Sequence, residues 1–183
     1  MSAIDGLQLV HYCYPGCTPL KNIMRLPRTQ AYALARDLAG QHRDTTAFYR
    51  FADFEHYYPE RLKTDELLYQ RFIELGGHPR EAHPLSFVLQ GSDYLADWFG
   101  HGTVIRVPLH DIPAEAVSFT CGDSMGFRKR HGELTMLTKA MLYEAIASFD
   151  GPLAAFLADM EAKYHYIEAQ VWDDACLEIK EPS

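Results

Sequence analysis

Short apolar runs recur along the chain between turn residues, and this pattern predicts β-strands. Several runs are rich in β-branched and aromatic residues, such as LVHYC near the start and YIEAQVW near the end. The strands predicted in this way are residues 7–13, 47–51, 85–89, 103–109, 117–120, 166–172 and 176–179.

Helical patterns with recognisable start and stop signals fill most of the remaining sequence. Thr18 before Pro19 and Ser92 before an acidic residue are typical N-caps, and Gly40 is typical of a helix end. In the segment TDELLYQRFIEL, we expect Leu67, Leu68, Phe72 and Leu75 to face the sheet. The predicted helices are residues 18–25, 29–39, 64–75, 93–99, 134–148 and 152–164.

The order of these elements predicts an α/β (α+β) fold with a mixed or split β-sheet core and peripheral helices. Strands and helices alternate too unevenly for a simple doubly wound parallel sheet. No Pro-, Gly- or Ser-rich linker interrupts the 183 residues, so we expect a single domain over residues 1–183.

The charge balance limits the classes of partner. The chain carries 25 acidic and 17 basic residues, a formal charge of −8, which argues against sequence-independent coating of nucleic acid. The segment FRKRHG, residues 127–132, is a basic exception that we expect to be an exposed loop. The N-terminal sequence lacks a signal-peptide pattern and no apolar run approaches about 20 residues, so we expect a cytoplasmic protein without a membrane partner.

Metal-binding spacing is absent from the sequence. His11, Cys13 and Cys17 resemble a zinc corner, but no second pair of ligands follows. None of the nine histidines forms an H-x-H or H-x-x-x-H pair. We therefore predict no metal site and four reduced cysteines.

Two predicted strands carry polar residues among apolar ones. Because side chains alternate along a strand, Glu168 and Gln170 share one face, and His11 shares a face with Leu9 and Cys13. Taken alone, the pattern is more typical of the outer face of an edge strand than of a functional site. A catalytic cleft explains it only if His11 and Glu168 face each other.

These residues carry a resemblance to the ADP-ribosyltransferase superfamily. A strand ending in His-Tyr precedes the helical segment PLKNIM, the middle of the chain reads HPLSFVLQGSDYLADWFGHGTVIRVPL, and the late strand lies in IEAQVWDDACLEI. The order of histidine, central strand with helix, and glutamate is similar to the order in that superfamily. The E-x-E of arginine-directed members is replaced by Glu168-Ala169-Gln170, and Ser86 alone stands near the position of their Ser-Thr-Ser motif.

The resemblance implies NAD-dependent ADP-ribosyl transfer or NAD glycohydrolysis, in the manner of a bacterial toxin or effector, with a protein or nucleic-acid acceptor. Glu168 would stabilise the oxocarbenium-like state at the nicotinamide ribose, and Gln170 would orient the acceptor. His11 would bind the adenosine ribose or the diphosphate. The remaining cofactor-binding residues implied are Tyr12, Ser86, Tyr94 and Trp98.

Two other functions stay open at this point. The turn CGDSMG after a strand resembles the nucleophile block of SGNH (GDSL-type) serine hydrolases, with Ser124 as nucleophile, although only 59 residues follow it and no D-x-x-H partner occurs. A non-catalytic nucleotide-binding module is the third possibility. The hydrolase requires a histidine within hydrogen-bonding reach of Ser124, whereas the NAD hypothesis requires His11 and Glu168 in one cleft.

Overall fold

A computed structural model describes residues 3–177 of the protein as an α/β fold built on one six-stranded sheet. The strands lie in the order β3-β1-β2-β6-β4-β5, and every described strand pair is antiparallel. The sheet is therefore continuous and antiparallel, and the expected mixed or split sheet is wrong in that detail. The strands are β1 (Gln8–Cys13), β2 (Leu85–Leu89), β3 (Thr103–Pro108), β4 (Val117–Cys121), β5 (Met136–Thr138) and β6 (Ile167–Val171).

Six α-helices surround this sheet within the described residues, as the peripheral helices of the prediction require. Ser92 caps α3 by accepting a hydrogen bond from the Leu95 N–H, as its position in the sequence predicts. The helices are α1 (Arg28–Gln41), α2 (Phe54–Glu74), α3 (Asp93–Trp98), α4 (Ser124–His131), α5 (Lys139–Ser148) and α6 (Leu153–Tyr164). None of them is long and apolar enough to cross a membrane.

One face of the sheet, called here the apolar face, forms the main core. Leu9, Phe87, Phe119 and Ala169 share this face and are almost fully buried. The apolar side chains that close this core from α5 and α6 are Leu142, Ile146 and Phe156. Burial of this surface provides the main hydrophobic stabilisation of the sheet.

The opposite face, called here the polar face, carries Val10, Val88, Thr120, Glu168 and Gln170. Helices α2 and α4 cover it, so polar side chains that would be solvated on an open sheet are buried. Its apolar anchor is a second cluster in which α2 supplies two side chains. The buried members of that cluster are Leu68, Phe72, Met136 and Trp172.

Helix α2 begins ten residues earlier than the sequence pattern predicts. It starts at Phe54 and continues through Pro59, which lies in its second turn and cannot donate the usual hydrogen bond to the carbonyl four residues earlier. Thr64 is thus no N-cap; its hydroxyl donates to the Glu60 carbonyl one turn earlier. Leu68 and Phe72 face the sheet as predicted, but Leu67 is 43% exposed.

Other boundaries differ because local contacts override the pattern. The region of the predicted helix 18–25 contains only a 3₁₀ turn, Ile23–Arg25, because Leu20 adopts a positive φ of 55°. The predicted strand 47–51 overlaps the 3₁₀ helix Tyr49–Asp53, whose aromatic rings pack against α2. The segment FRKRHG belongs to α4 rather than to a loop. The predicted helix 134–148 divides into β5 and α5. Of the predicted strand 176–179, residues 176–177 belong to the 3₁₀ helix 174–177, and residues 178–179 lie outside the described residues.

Candidate active site

Glu168 lies at the centre of the polar face. Its strand, β6, runs between β2 and β4, and its Cα is paired with Val88 on one side and Thr120 on the other. The residue is only 6% exposed. Its Oε2 accepts a 2.7 Å hydrogen bond from the backbone N–H of Ser124, the first residue of α4. A carboxylate at a helix N-terminus is favourably placed for its negative charge.

Burial nevertheless raises the pKa of the Glu168 carboxyl group. The nearby Arg61 charge and the Ser124 N–H oppose this shift, while the negative charge of Asp123 adds to it. The carboxyl group is therefore held in an environment that disfavours its charged form. A carboxylate of this kind gains most from a positive charge brought to it.

Arg61 of α2 is the buried cation beside this carboxylate. Its Nη2 lies 2.6 Å from Oδ1 of Asp65, one helical turn later, and Oδ2 of Asp65 lies 2.8 Å from Nδ1 of His83. Burial favours the neutral form of Arg61, but Asp65, Tyr57 and Glu168 together raise its pKa. The guanidinium is thus charged and fixed in place.

A second arginine stands at the rim. Arg50 donates to Asp123 Oδ2 over 3.2 Å, and its side chain remains 37% exposed. Tyr166 lies beside Glu168 on the same face and is half-buried, and this partial burial, with the charges of Glu168 and Asp123, raises the pKa of its hydroxyl. We call Arg50, Arg61, Asp123, Tyr166 and Glu168 the Glu168 cluster.

Aromatic rings continue the cluster toward solvent. Tyr94 of α3 stacks on Tyr166 with ring centroids 6.4 Å apart and packs against Trp98 at 5.8 Å. Tyr94 is 47% exposed, so one side of this stack is open. The structure therefore connects two predicted cofactor-binding residues, Tyr94 and Trp98, to the Glu168 cluster through Tyr166.

Tyr12 and Ser86 also belong to the polar face, but they lie farther along their strands. The Tyr12 hydroxyl accepts from the Ser92 N–H at 2.8 Å and so supports the start of α3. Ser86 is paired with Gln170 and is exposed. Tyr12 therefore positions Tyr94 and Trp98 through their helix.

His11 does not share a cleft with Glu168, and the prediction that it does is wrong. Val10, Val88 and Glu168 are paired across β1, β2 and β6, so the neighbouring His11 projects from the apolar face. Its Nε2 accepts from the Leu20 N–H at 3.1 Å, so Nδ1 donates to the Ser86 carbonyl at 2.9 Å. Burial lowers the pKa of His11. Both of its ring nitrogens are hydrogen-bonded to backbone groups and are therefore not available to a ligand.

Gln170 shares a face with Glu168 as predicted, yet it is not available to orient an acceptor. It is fully buried, and its amide forms the middle of a hydrogen-bonded chain. Trp172 Nε1–H donates to Ser118, whose hydroxyl donates to Gln170 Oε1, and Gln170 Nε2 donates to Thr120. The distances are 2.9, 2.9 and 3.0 Å. Gln170 fixes the pairing of β4 with β6.

Ser124 lacks the geometry of a hydrolase nucleophile. Its Oγ is fully buried and makes no hydrogen bond of normal geometry, although it is close enough to Glu168 to help hold the pKa of that carboxyl down. Within residues 3–177 no histidine is hydrogen-bonded to it. The serine-hydrolase alternative therefore loses its required partner.

Four residues of the cluster escaped the sequence analysis. Arg50 lies in the wrongly predicted strand 47–51, Arg61 and Asp123 lie in segments predicted to be loops, and Tyr166 stands at a strand end. The i,i+4 pair of Arg61 and Asp65 carried a signal, since it indicates that the helix extends before Thr64.

For metals, the described part of the chain contains no group of three or more His, Cys, Asp or Glu residues arranged to hold an ion.

Comparison of the chain with protein-family models, with curated proteins and with solved structures gives no match.

Proposed function

We propose that the Glu168 cluster cleaves NAD at the bond between nicotinamide and ribose, in an ADP-ribosyltransferase-like fold. One observation carries the proposal: a buried carboxylate with a raised pKa lies beside Arg61, and Asp123 and Tyr166 connect it to Arg50 and to an open aromatic stack. This substrate requires a carboxylate beside the ribose, a cation for the diphosphate and aromatic rings for the planar nicotinamide.

Each residue has a role in the proposed reaction. When the glycosidic C–N bond breaks, its electron pair leaves with nicotinamide and positive charge develops on the ribose. Glu168 stabilises that charge, because its environment already favours a neighbouring cation. Water or an acceptor nucleophile then bonds to the ribose carbon and loses a proton.

The solvent exposure of each side chain indicates which residues bind the substrate. Arg50 is the accessible cation and pairs with the diphosphate, while the buried Arg61 keeps the carboxylate oriented. Tyr94 and Trp98 stack on the nicotinamide ring. His11 lies on the opposite face of the sheet, so the requirement that His11 and Glu168 share a cleft is not met, and the proposal rests on Glu168, the arginines and the aromatic rings alone.

Nicotinamide release from NAD by the purified protein tests the proposal. Glu168→Gln keeps the shape and the acceptor for the Ser124 N–H but removes the charge, so the rate should fall about a hundredfold or more. Glu144→Gln is the matched control, since Glu144 is exposed on α5. Equal rates in the wild type and Glu168→Gln would refute the role of Glu168.

Transfer and glycohydrolysis are separated by a second measurement. NAD labelled in the adenosine half is incubated with protein or nucleic acid from a lysate, and nicotinamide and bound label are counted together. Label transferred in proportion to nicotinamide indicates a transferase. Nicotinamide without transferred label indicates a glycohydrolase.

A non-catalytic nucleotide-binding module is the second candidate. The favouring observation is that Glu168 is 6% exposed and already engaged with Ser124, which limits its access to a substrate. Saturable NAD binding without nicotinamide release would favour this function over cleavage.

A further inference from the structure

A groove of about 670 Å³ lies between α1 and the start of α2, apart from the Glu168 cluster. Its volume is in the range of sites that hold small molecules. Arg28, Tyr32 and Arg36 lie one turn apart along α1 and form one wall. Phe51, Phe54 and Glu55 line the groove from the opposite side.

The charge of this groove is opposite to that of the chain. It contains two arginines and one glutamate, whereas the whole protein has a formal charge of −8. Within residues 3–177 no carboxylate lies within 4.0 Å of the Arg28 guanidinium. Arg36 pairs only with its neighbour Asp37, at 3.7 Å, and its side chain is 80% exposed. Arg28 has only the longer-range charge of Glu55 and the Tyr32 hydroxyl beside it, and the Arg36 pair is exposed, so both guanidinium groups can still bind an anion.

The groove also presents aromatic surface. Tyr32 and Phe54 meet edge to face with centroids 5.0 Å apart, and Phe51 packs on Phe54 at 5.4 Å. The Arg28 guanidinium is held over the Tyr32 ring at 5.4 Å and over the Tyr58 ring at 5.9 Å. A flat ring can stack here while an attached anion reaches an arginine.

We propose that this groove binds a nucleotide-like ligand, a planar aromatic base that carries a phosphate. Arg28 and Arg36 bind the phosphate, and Tyr32 and Phe51 contact the ring. Glu55 accepts a 3.4 Å hydrogen bond from the Tyr32 hydroxyl and limits how many negative charges the groove tolerates. The inference does not depend on NAD cleavage, because none of these side chains belongs to the Glu168 cluster.

Calorimetric titration with AMP tests the proposal on the full chain. AMP should bind the wild type, and Arg28→Gln/Arg36→Gln should weaken its affinity about tenfold or more, since two charge-assisted contacts are lost. Arg43→Gln/Lys63→Gln removes two positive charges at exposed positions outside the groove and should leave the affinity unchanged. Thermal melts confirm that each variant is folded.

Glu168→Gln separates this site from the proposed active site. AMP affinity that survives Glu168→Gln but falls in the Arg28/Arg36 variant supports the groove, whether or not the protein cleaves NAD. The reverse pattern assigns the nucleotide to the Glu168 cluster and overturns the inference, as does an absence of AMP binding. Adenosine or inorganic phosphate that binds as tightly as AMP also overturns it, because one half of the proposed contacts would then contribute nothing.

Discussion

The backbone N–H of Ser124 and the carboxylate of Glu168 meet across 2.7 Å, which joins the N-terminus of α4 to the centre of the sheet. The contact offsets part of the cost of burying a charge on β6. It does not offset all of it, because burial still raises the pKa of Glu168. The proposed chemistry and the stability of the fold therefore make opposite demands on Glu168.

We predict that Glu168→Gln stabilises the protein at neutral pH. A carboxyl group with a raised pKa binds its proton more tightly in the folded than in the unfolded chain. Its favourable contribution is full below the ordinary glutamate pKa of 4.5 and is lost as the pH rises through the raised value. Melting midpoints should be higher for the variant at pH 7 to 8 and should converge with the wild type near about pH 4.

Glu144→Gln provides the control for this prediction, because an exposed carboxylate gives no such pH dependence. A lower midpoint for Glu168→Gln at neutral pH would mean that Arg61 and the Ser124 N–H outweigh the cost of burial.

His11→Phe should remove a pH dependence of stability whose sign is opposite to that caused by Glu168. Burial lowers the pKa of His11, and its Nε2 already accepts from the Leu20 N–H. The stability from this group is complete above the ordinary histidine pKa of 6.5 and is lost as the pH falls toward the lowered value. Denaturant melts should show the wild type weakening below pH 6.5 more steeply than His11→Phe.

At higher pH the same variant should be less stable by about 1–3 kcal/mol, since the Ser86 carbonyl and the Leu20 N–H lose their partner. His110→Phe alters an exposed histidine and should change neither quantity. Parallel pH profiles for His11→Phe and the wild type would contradict the prediction.

Gln170→Met should destabilise the fold by about 1–3 kcal/mol, because it removes the amide from the buried hydrogen-bonded chain and leaves the Ser118 hydroxyl without its acceptor and Thr120 Oγ1 without its donor. Urea unfolding measures the loss. Gln70→Met, at an exposed position of α2, is the control. A variant as stable as the wild type would show that Gln170 contributes no structural hydrogen bond, and it would reopen a role for its amide in binding an acceptor.

Phe72→Ala should reduce the free energy of unfolding by roughly 3–5 kcal/mol. The ring is 1% exposed and stacks on Trp172 with centroids 5.9 Å apart. Ile73→Ala, at a neighbouring position that is 45% exposed, should change stability by less than about 0.5 kcal/mol. Similar thermal midpoints for the two variants would place α2 outside the core.

The sequence predicts single strands well and their mutual arrangement poorly. The pattern of LSFVL gives the bounds of β2, and the alternation in YIEAQVW correctly puts Glu168 and Gln170 on one face. Alternation does not say which face of one strand matches which face of another. The register does so, and it places His11 opposite to Glu168.

The arginines were missed for a different reason. The stretch before Thr64 has no clean period, because its tyrosines and phenylalanines pack against α1 and against one another rather than along one helix face. Without that helix, Arg61 cannot be assigned a direction. Tertiary packing decides the start of α2, and with it the cation beside Glu168.

The position of β6 determines the order in which the sheet can be completed. β6 follows the other five strands along the chain, yet it lies between β2 and β4. During synthesis the earlier strands can form only two separate ribbons, β3-β1-β2 and β4-β5, each with an unpaired edge. Insertion of β6 joins them through contacts distant in sequence, which is a slow kind of step. A nascent chain that stalls before residue 167 therefore exposes two unpaired strand edges that can aggregate. Folding in the cell depends on keeping these edges apart until β6 is synthesised and pairs with both.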